Sequence, residues 1–225
     1  MTKLIGIVGW AGSGKDTAAN FLVKNHNYRR ESFASSLKDA VAAIFHWPRN
    51  MLEGHTEESR KWREEVDTWW AKRLGIPNLT PRYVLQHIGT DVLRREFHDD
   101  IWVASLEYHL MGQAGRCVLS DVRFPNEVAM IKKLNGKIVH IMRGKSPEWF
   151  SNWYDDYEDL KHFMEKWHPE VHPSEYMWTL TKFDRIIRND GTLAELEAEV
   201  NDLVYYKSGT RSPIFQDFST LPNNL

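Results

Sequence analysis

The sequence predicts an α/β sandwich of three layers around a parallel sheet, with a helical lobe and a lid added to it. Three observations carry this expectation. Short apolar, β-branched runs alternate with amphipathic helical stretches, as crossover β-α-β units require. The first such run, Lys3 to Val8, turns through a glycine-rich loop into a helix pattern. Charged groups also collect where later strands end, with Asp121 and Arg123 after one and Arg143 after the next. That is the carboxyl edge at which open α/β sheets bind their ligands.

The loop Gly9-Trp10-Ala11-Gly12-Ser13-Gly14-Lys15-Asp16-Thr17 meets the spacing G-x-x-x-x-G-K. Gly9, Gly12 and Gly14 permit positive φ, so successive backbone amides can turn around phosphate oxygens while the helix start adds partial positive charge. Lys15 then reaches the β- and γ-phosphates. The Ser or Thr that normally follows the lysine is Asp16, and Thr17 comes one place later, the spacing of adenylate-kinase-like loops. Gly12, Ser13, Gly14, Lys15, Asp16 and Thr17 are therefore the expected ATP-binding set. A glycine turn that binds nothing is the competing reading, and it explains neither the strand before nor the Lys and Thr after.

The 225 residues are 42% hydrophobic, enough to bury one full core with an inserted lobe. A net charge of -2 gives no overall basic field for a nucleic-acid polymer, so phosphate recognition rests on individual Lys and Arg. Cys117, the single cysteine, leaves no disulfide within the chain and reads as a small buried hydrophobe. No run of about 18 apolar residues occurs, and no basic segment precedes a secretory apolar core. The expected location is the cytoplasm.

After the loop, a helix is expected over about Gly14 to Asn25 and a strand over Tyr28 to Phe33. Ser35 and Ser36 read as the cap of a helix whose apolar face is Leu37, Val41, Ile44 and Phe45. Lys38 falls in its first turn, unfavourable with the dipole unless an anion sits there; a solvated lysine is the alternative. Residues 47–79, polar, tryptophan-rich and bounded by Pro48 and Pro77, form the expected substrate lobe. Their interleaved charges, Glu57 to Glu65, read as a solvated helix face. Thr80-Pro81 launches a helix that Gly89-Thr90-Asp91 interrupts, by a kink or by close approach of a ligand to the backbone. Asp99 is expected to cap the next one.

Arg116 to Asp121 is a strand ending on an acid, which can hold Mg²⁺ through water. Arg123 follows it, and the strand Lys137 to Met142 ends on Arg143; a surface salt bridge is the alternative for each arginine. Residues 146–172, aromatic and acidic, suit a lid. Within it, His168 and His172 lack the further ligands of a zinc site, so no protein-built metal centre is expected. Phe183 to Arg188 reads as the last strand and Thr192 opens the last helix. Residues 207–225, rich in Ser, Pro and Asn, form a tail.

In this order, Ser13-Gly14-Lys15-Asp16-Thr17, Leu37-Lys38-Asp39-Ala40, Leu85 to Asp91 with Trp102, Asp121-Val122-Arg123 with Glu127, Val139 to Arg143 and Asn189 to Leu193 resemble the bacteriophage deoxynucleoside monophosphate kinases. These are P-loop enzymes that pass the γ-phosphate of ATP to a dNMP. The matching pieces cover most of residues 1–204. The resemblance implies one P-loop kinase domain over 1–206, with Lys15 and Arg143 on the transferring phosphate and Asp121 counted with them among the catalytic residues. It implies Lys38, Arg82, Gly89, Thr90, Trp102, Arg123 and Glu127 around the acceptor. It further implies Mg²⁺ held mainly by ATP and water, and small nucleotides as partners rather than a polymer or a membrane. The cytoplasm of a phage host and a homodimer are compatible with it. Residues 47–79 and 144–171 match the family poorly, so no base preference is implied. Phosphomevalonate kinases of the animal type share the Ser-Gly-Lys-Asp loop and a Ser-Asp-x-Arg segment. A regulatory NTPase module is the reading from another class, and the second cationic set, Lys38, Arg82 and Arg123, speaks against it.

Overall fold

The computed structural model describes residues 3–150 and 157–205. Its first strand, β1 (Leu4–Val8), is buried at every position, which is why the run is apolar throughout instead of alternating. α1 (Lys15–His26) starts on Gly14 and stops at Asn27, whose left-handed backbone a short polar side chain tolerates. β2 (Tyr28–Glu31) ends before Phe33, which is drawn into the core. α2 (Ser35–Phe45) is not capped by its serines. Ala34 is the residue at its start, and the Asp121 carboxylate takes the Ala34 amide at 3.2 Å. A sheet-edge acid thus shares with Ser32 Oγ, at 3.1 Å, a helix-end donor that Ser35 and Ser36 leave open.

α3 (Glu57–Glu64) begins on a reciprocal Thr56–Ser59 cap, and α4 (Thr68–Leu74) on Asp67. α5 (Pro81–Gln86) has Thr80 as cap and proline in its first turn, as the sequence predicts. The chain then continues in π-helical turns over His87–Phe97. A Cβ on Gly89 would lie 2.6 Å from Leu37 Cδ2, so this glycine admits a core side chain to the backbone. α6 (Ile101–Leu110) is headed by Asp100, not by Asp99, which accepts from Asn126 Nδ2 at 3.0 Å. β3 (Arg116–Leu119), α7 (Pro125–Lys133), β4 (Lys137–Met142), α8 (Tyr157–Trp167), β5 (Arg185–Arg188) and α9 (Leu193–Tyr205) follow.

Among the described residues the strands form one sheet in the order β2-β3-β1-β4-β5, every pair parallel. Alternation along β1 sends Ile5 and Ile7, with Val118, Val139 and Ile141, against Leu22 of α1 and Leu196 and Val200 of α9. Leu4, Val8, Leu119 and Ile138 belong instead to the core that holds Val41, Leu106, Val128 and Ile131 of α2, α6 and α7. Helices, sheet and helices make the three layers of a P-loop kinase sandwich. Gly6 lets α7 close on β1, because a Cβ there would meet Ile131 Cδ1 at 2.6 Å. Cys117 is buried as expected, and burial pushes its thiol up to about 11.

Trp47, Trp62 and Trp70 of residues 47–79 join the second of these cores, while Trp69 stays exposed. Trp47 stacks on Phe45 with centroids 4.5 Å apart and donates to Asp67 at 2.8 Å, while Trp70 donates to the Phe45 carbonyl at 3.1 Å. Polar stretches therefore carry their own apolar anchors onto the sheet. Leu160 and Met164 of α8 bury against Tyr176 in a separate small cluster. Residues 151–156 of the expected lid and the tail from 207 lie outside the described residues. No helix among the described residues is long and apolar enough to cross a membrane.

Candidate functional site

The link from β1 to α1 holds its glycines at positive φ, 146° at Gly9, 76° at Gly12 and 99° at Gly14. Two of them are also close approaches. A Cβ on Gly9 would lie 2.3 Å from the Ile141 carbonyl oxygen, and one on Gly14 would lie 2.4 Å from Asn189 Nδ2. Asn189, just past β5, donates that nitrogen to the Ser13 carbonyl at 2.9 Å, so the edge strand clamps the loop. Lys15 Nζ donates to the carbonyls of Gly9 and Trp10, both at 2.7 Å. Burial, with Arg123 nearby, pulls the Lys15 pKa down to about 8 against the opposing pull of Asp16 and Glu175. Ser13 Oγ is buried without a hydrogen-bond partner. Such a loop is a cradle for phosphate oxygens, with an ammonium already drawn to its backbone.

Asp16, in the first turn of α1, bonds Arg30 of β2 and accepts from Ser120 Oγ at 2.9 Å. Arg30 also donates to Ser120 at 2.6 Å and to Asn20 at 3.0 Å. Burial acts to raise the Asp16 pKa, but Arg30 and Ser120 outweigh it and hold the carboxyl below its ordinary value. Thr17 follows, half-buried. Asp121 turns Oδ2 to Ser32 Oγ at 2.6 Å and to the Ala34 amide, and its Oδ1 is buried without a partner. Arg123 Nη1 donates to Glu175 Oε1 at 3.0 Å and to the Ser174 carbonyl at 3.2 Å. Arg143, after β4, is exposed and forms no ion pair among the described residues.

The remaining expected residues are spread over two levels of the fold. Lys38, buried on α2, meets Glu53 at 2.6 Å, and Arg49 holds the other oxygen of that carboxylate. Burial acts to raise Glu53, yet Lys38 and Arg49 prevail and hold it at about 2. Arg82 is exposed and pairs with Glu64 at 2.8 Å. Trp102 donates its indole nitrogen to the Gly89 carbonyl at 2.9 Å, tying the π-helical segment to α6, with Thr90 half-buried beside it. Glu127 is buried: Oε1 accepts from Arg94 at 2.8 Å, and Oε2 accepts from the Arg123 and Phe124 amides at 2.6 and 3.1 Å. Burial raises the Glu127 pKa, and Arg94 with those amides holds it back. Glu127 thereby fixes the backbone beneath Arg123.

Residue spacing singles out neither Arg30, Arg94 nor Glu175, since each acquires its partner through the tertiary fold. Asn189 and His140 lie inside motifs that the sequence displays, but only the strand order brings them to the loop. His140, opposite Val8 in the sheet, packs between Trp178 and Phe183 at 4.9 and 4.7 Å between centroids. Burial, together with the Lys15 charge, pushes its imidazole down to about 4. It is therefore a neutral wall of the site. Trp10, on the loop itself, meets Trp149, Phe150 and Trp178 at 5.3, 5.1 and 4.8 Å, so edge-to-face aromatics fasten the chain after β4 onto the loop.

No protein-family model matches the chain. It is similar to a protein of Acanthamoeba polyphaga mimivirus assigned as a deoxynucleotide monophosphate kinase, 30% identical over 213 residues that span 88% of this chain and 93% of that protein. It is also similar to the deoxynucleoside-5′-monophosphate kinase of Escherichia phage T5, 27% identical over 184 residues, 60% of this chain and 74% of that one. Among solved structures, shikimate kinase from Aquifex aeolicus vf5 aligns over 90% of this chain and 96% of its own, with a TM-score of 0.42 at 13% identity.

Proposed function

The chain belongs to the deoxynucleotide monophosphate kinases, and on that premise we propose that it passes the γ-phosphate of ATP to the 5′-phosphate of a deoxynucleoside monophosphate. One observation carries this reading. Two cations stand at one sheet edge, Lys15 on the loop and Arg123 past β3, near enough for Arg123 to depress the Lys15 pKa. Standing past β3 and not on the loop, Arg123 can hold a second phosphate group in line with the first.

In this reading the loop amides and Lys15 hold the β- and γ-phosphates, and Arg123 aligns the acceptor phosphate with them. An acceptor oxygen forms the new bond to the γ-phosphorus as the bond to ADP breaks, and that electron pair leaves with ADP. The acceptor is already an anion, so no general base is needed; alignment and charge neutralisation supply the catalysis. Arg143, exposed at the end of β4 and without an ion pair among the described residues, is the cation assigned here to the transferring phosphoryl group. Trp10 and the aromatics around it exclude water, which would otherwise compete as acceptor.

Mg²⁺ bound with ATP would supply charge neutralisation for the phosphate oxygens. Asp121, with its unpartnered buried Oδ1, and Thr17 are the side chains that would hold its water shell. Among the described residues no three acidic, His or Cys side chains converge to cage an ion. Both relatives are viral, which supports a host cytoplasm, where ATP and free nucleotides occur together, as the place of action.

Coupled ADP release with the dNMPs, the NMPs and phosphomevalonate as acceptors tests the reading. It stands if at least one dNMP raises turnover well above the rate with ATP alone. ADP release indifferent to every acceptor would favour an NTPase module, and turnover with phosphomevalonate alone would overturn the assignment.

A further inference from the structure

β4 and β5 end side by side, with Met142 opposite Arg188 in the last rung of their parallel ladder. The residues that follow the two strands are tied to each other. The Asn189 amide donates to the Met142 carbonyl at 2.7 Å, and the Gly144 amide donates to Asp190 Oδ1 at 2.6 Å. Arg143 stands between Met142 and Gly144, so the peptide groups on both sides of its Cα are held by Asn189 and Asp190.

The same pair is fastened to the phosphate loop. Asn189 Nδ2 donates to the Ser13 carbonyl at 2.9 Å, and Gly9 comes so near the end of β4 that a Cβ on it would lie 2.3 Å from the Ile141 carbonyl oxygen. Direct contacts therefore run from the loop through Asn189 and Asp190 to the backbone of Arg143.

The partner that Asp190 takes is informative. Arg143, Lys145 and Arg188 are all exposed at these strand ends, and Asp190 is exposed among them. Among the described residues it forms an ion pair with none of the three, and its carboxylate goes to the Gly144 amide instead. An acid that served to neutralise this edge would meet a side chain. This one accepts from the backbone one residue past Arg143, where Gly144 turns the chain at φ 63°, and leaves the guanidinium uncommitted.

We propose that Asp190 is a positioning residue for the phosphoryl transfer. By holding the Gly144 amide it fixes the backbone of Arg143 relative to the loop, so the guanidinium stands over the transferring γ-phosphate without being neutralised by the carboxylate that places it. This rests on the transfer reaction of the functional reading, with Arg143 acting on the moving group.

Steady-state kinetics with ATP and each of the dNMPs, read as coupled ADP release, test it on wild type, Asp190→Ala, Asp190→Asn, Arg143→Ala and the double variant. Asp190→Ala is expected to lower kcat by about ten- to hundredfold, the scale of a small misplacement, with the KM for ATP and for dNMP within about twofold of wild type. Asp190→Asn, whose amide oxygen can still accept from Gly144, should recover most of that loss; an equal loss in both variants would overturn the inference by making the charge, not the placing, the active property. Added to Arg143→Ala, Asp190→Ala should lower kcat by no more than about twofold, because its effect passes through Arg143. Wild-type kcat in Asp190→Ala or in Arg143→Ala overturns the inference. So does a loss undiminished in the Arg143→Ala background, or one that falls on either KM with kcat intact. Should Asp190→Ala fail to fold, Asp190→Glu decides, its carboxylate displaced by one methylene, and wild-type kcat in that variant overturns the inference. A wild-type protein that phosphorylates no dNMP overturns the functional reading and this inference with it.

Discussion

Glu175 Oε1 lies 3.0 Å from Nη1 of Arg123, and the same carboxylate acts on the ammonium of Lys15. A protein anion thus occupies the cation that the proposed acceptor phosphate must use. Both side chains are more than a third exposed, so the pair has the strength of a screened surface pair, about 0.2 to 1 kcal/mol or roughly 1.4- to 5-fold in affinity. Glu175→Gln is expected to lower the KM for dNMP by about that factor and to leave the KM for ATP in place. Steady-state kinetics with both substrates varied checks this. A raised dNMP KM would mean that Glu175 holds Arg123 in position instead of competing for it.

The depressed Lys15 pKa predicts how ATP binding depends on pH. In the free protein the ammonium titrates at about 8, and bound phosphates favour its charged form. Below that pH Lys15 is charged in both states, so affinity is flat with respect to this group. Above it, binding must take up a proton, and affinity falls by up to about tenfold per pH unit until the bound-state pKa is reached. The Kd of an ATP analogue measured from about pH 7 to 9.5 reads this directly, and Lys15→Arg, which stays charged throughout, should flatten the profile. A wild-type profile flat to the end of that range contradicts the prediction.

Local chemistry makes much of this legible in the sequence. The uniformly apolar β1, the glycines at 9, 12 and 14 and the Thr80-Pro81 helix start each act within a few residues of themselves, so the sequence displays them. Arg123 and Glu175 are 52 residues apart and Arg94 and Glu127 are 33 apart, and no periodicity links such pairs. Gly89 interrupts the apolar pattern for a reason only packing reveals, the Leu37 side chain lying against it. Ser35 and Ser36 read as the cap, yet the Ala34 amide goes to Asp121, delivered by the sheet, and to Ser32 Oγ.

Arg94→Ala should destabilise the fold in a pH-dependent way. Arg94 and Glu127 are 6% and 3% exposed, and removing one partner of such a pair costs about 3 to 5 kcal/mol where the other stays charged and buried. Burial already raises Glu127 to about 7, and without the guanidinium its folded-state pKa rises further. The unfolded state is the same in both proteins, so the deficit is full above the variant's folded pKa and shrinks as pH falls to the wild-type value of about 7, below which both folded proteins hold the protonated acid. Urea unfolding at about pH 9 and about pH 6 compares the two. A deficit that does not change with pH would assign the loss to packing of the guanidinium over the Phe124 ring, 3.9 Å from its centroid.

Arg30→Ala tests whether the cation on β2 serves the loop. Asp16 puts a carboxylate next to Lys15, where a bound triphosphate would be repelled, and Arg30 with Ser120 is what engages that charge. Removing Arg30 leaves Asp16 with the Ser120 hydroxyl as its remaining hydrogen-bond partner, in a loop that must accept a polyanion. The KM for ATP is expected to rise by about tenfold at low salt, the size of one charge-assisted hydrogen bond, with the dNMP KM little changed. Because Asp16 and Arg30 are not deeply buried, salt screens the effect, and the ratio of variant to wild-type KM should shrink as ionic strength is raised. A KM change that falls on dNMP, or one that salt leaves untouched, would show that Arg30 works by shaping the β2–β3 edge and not by balancing the charge of Asp16.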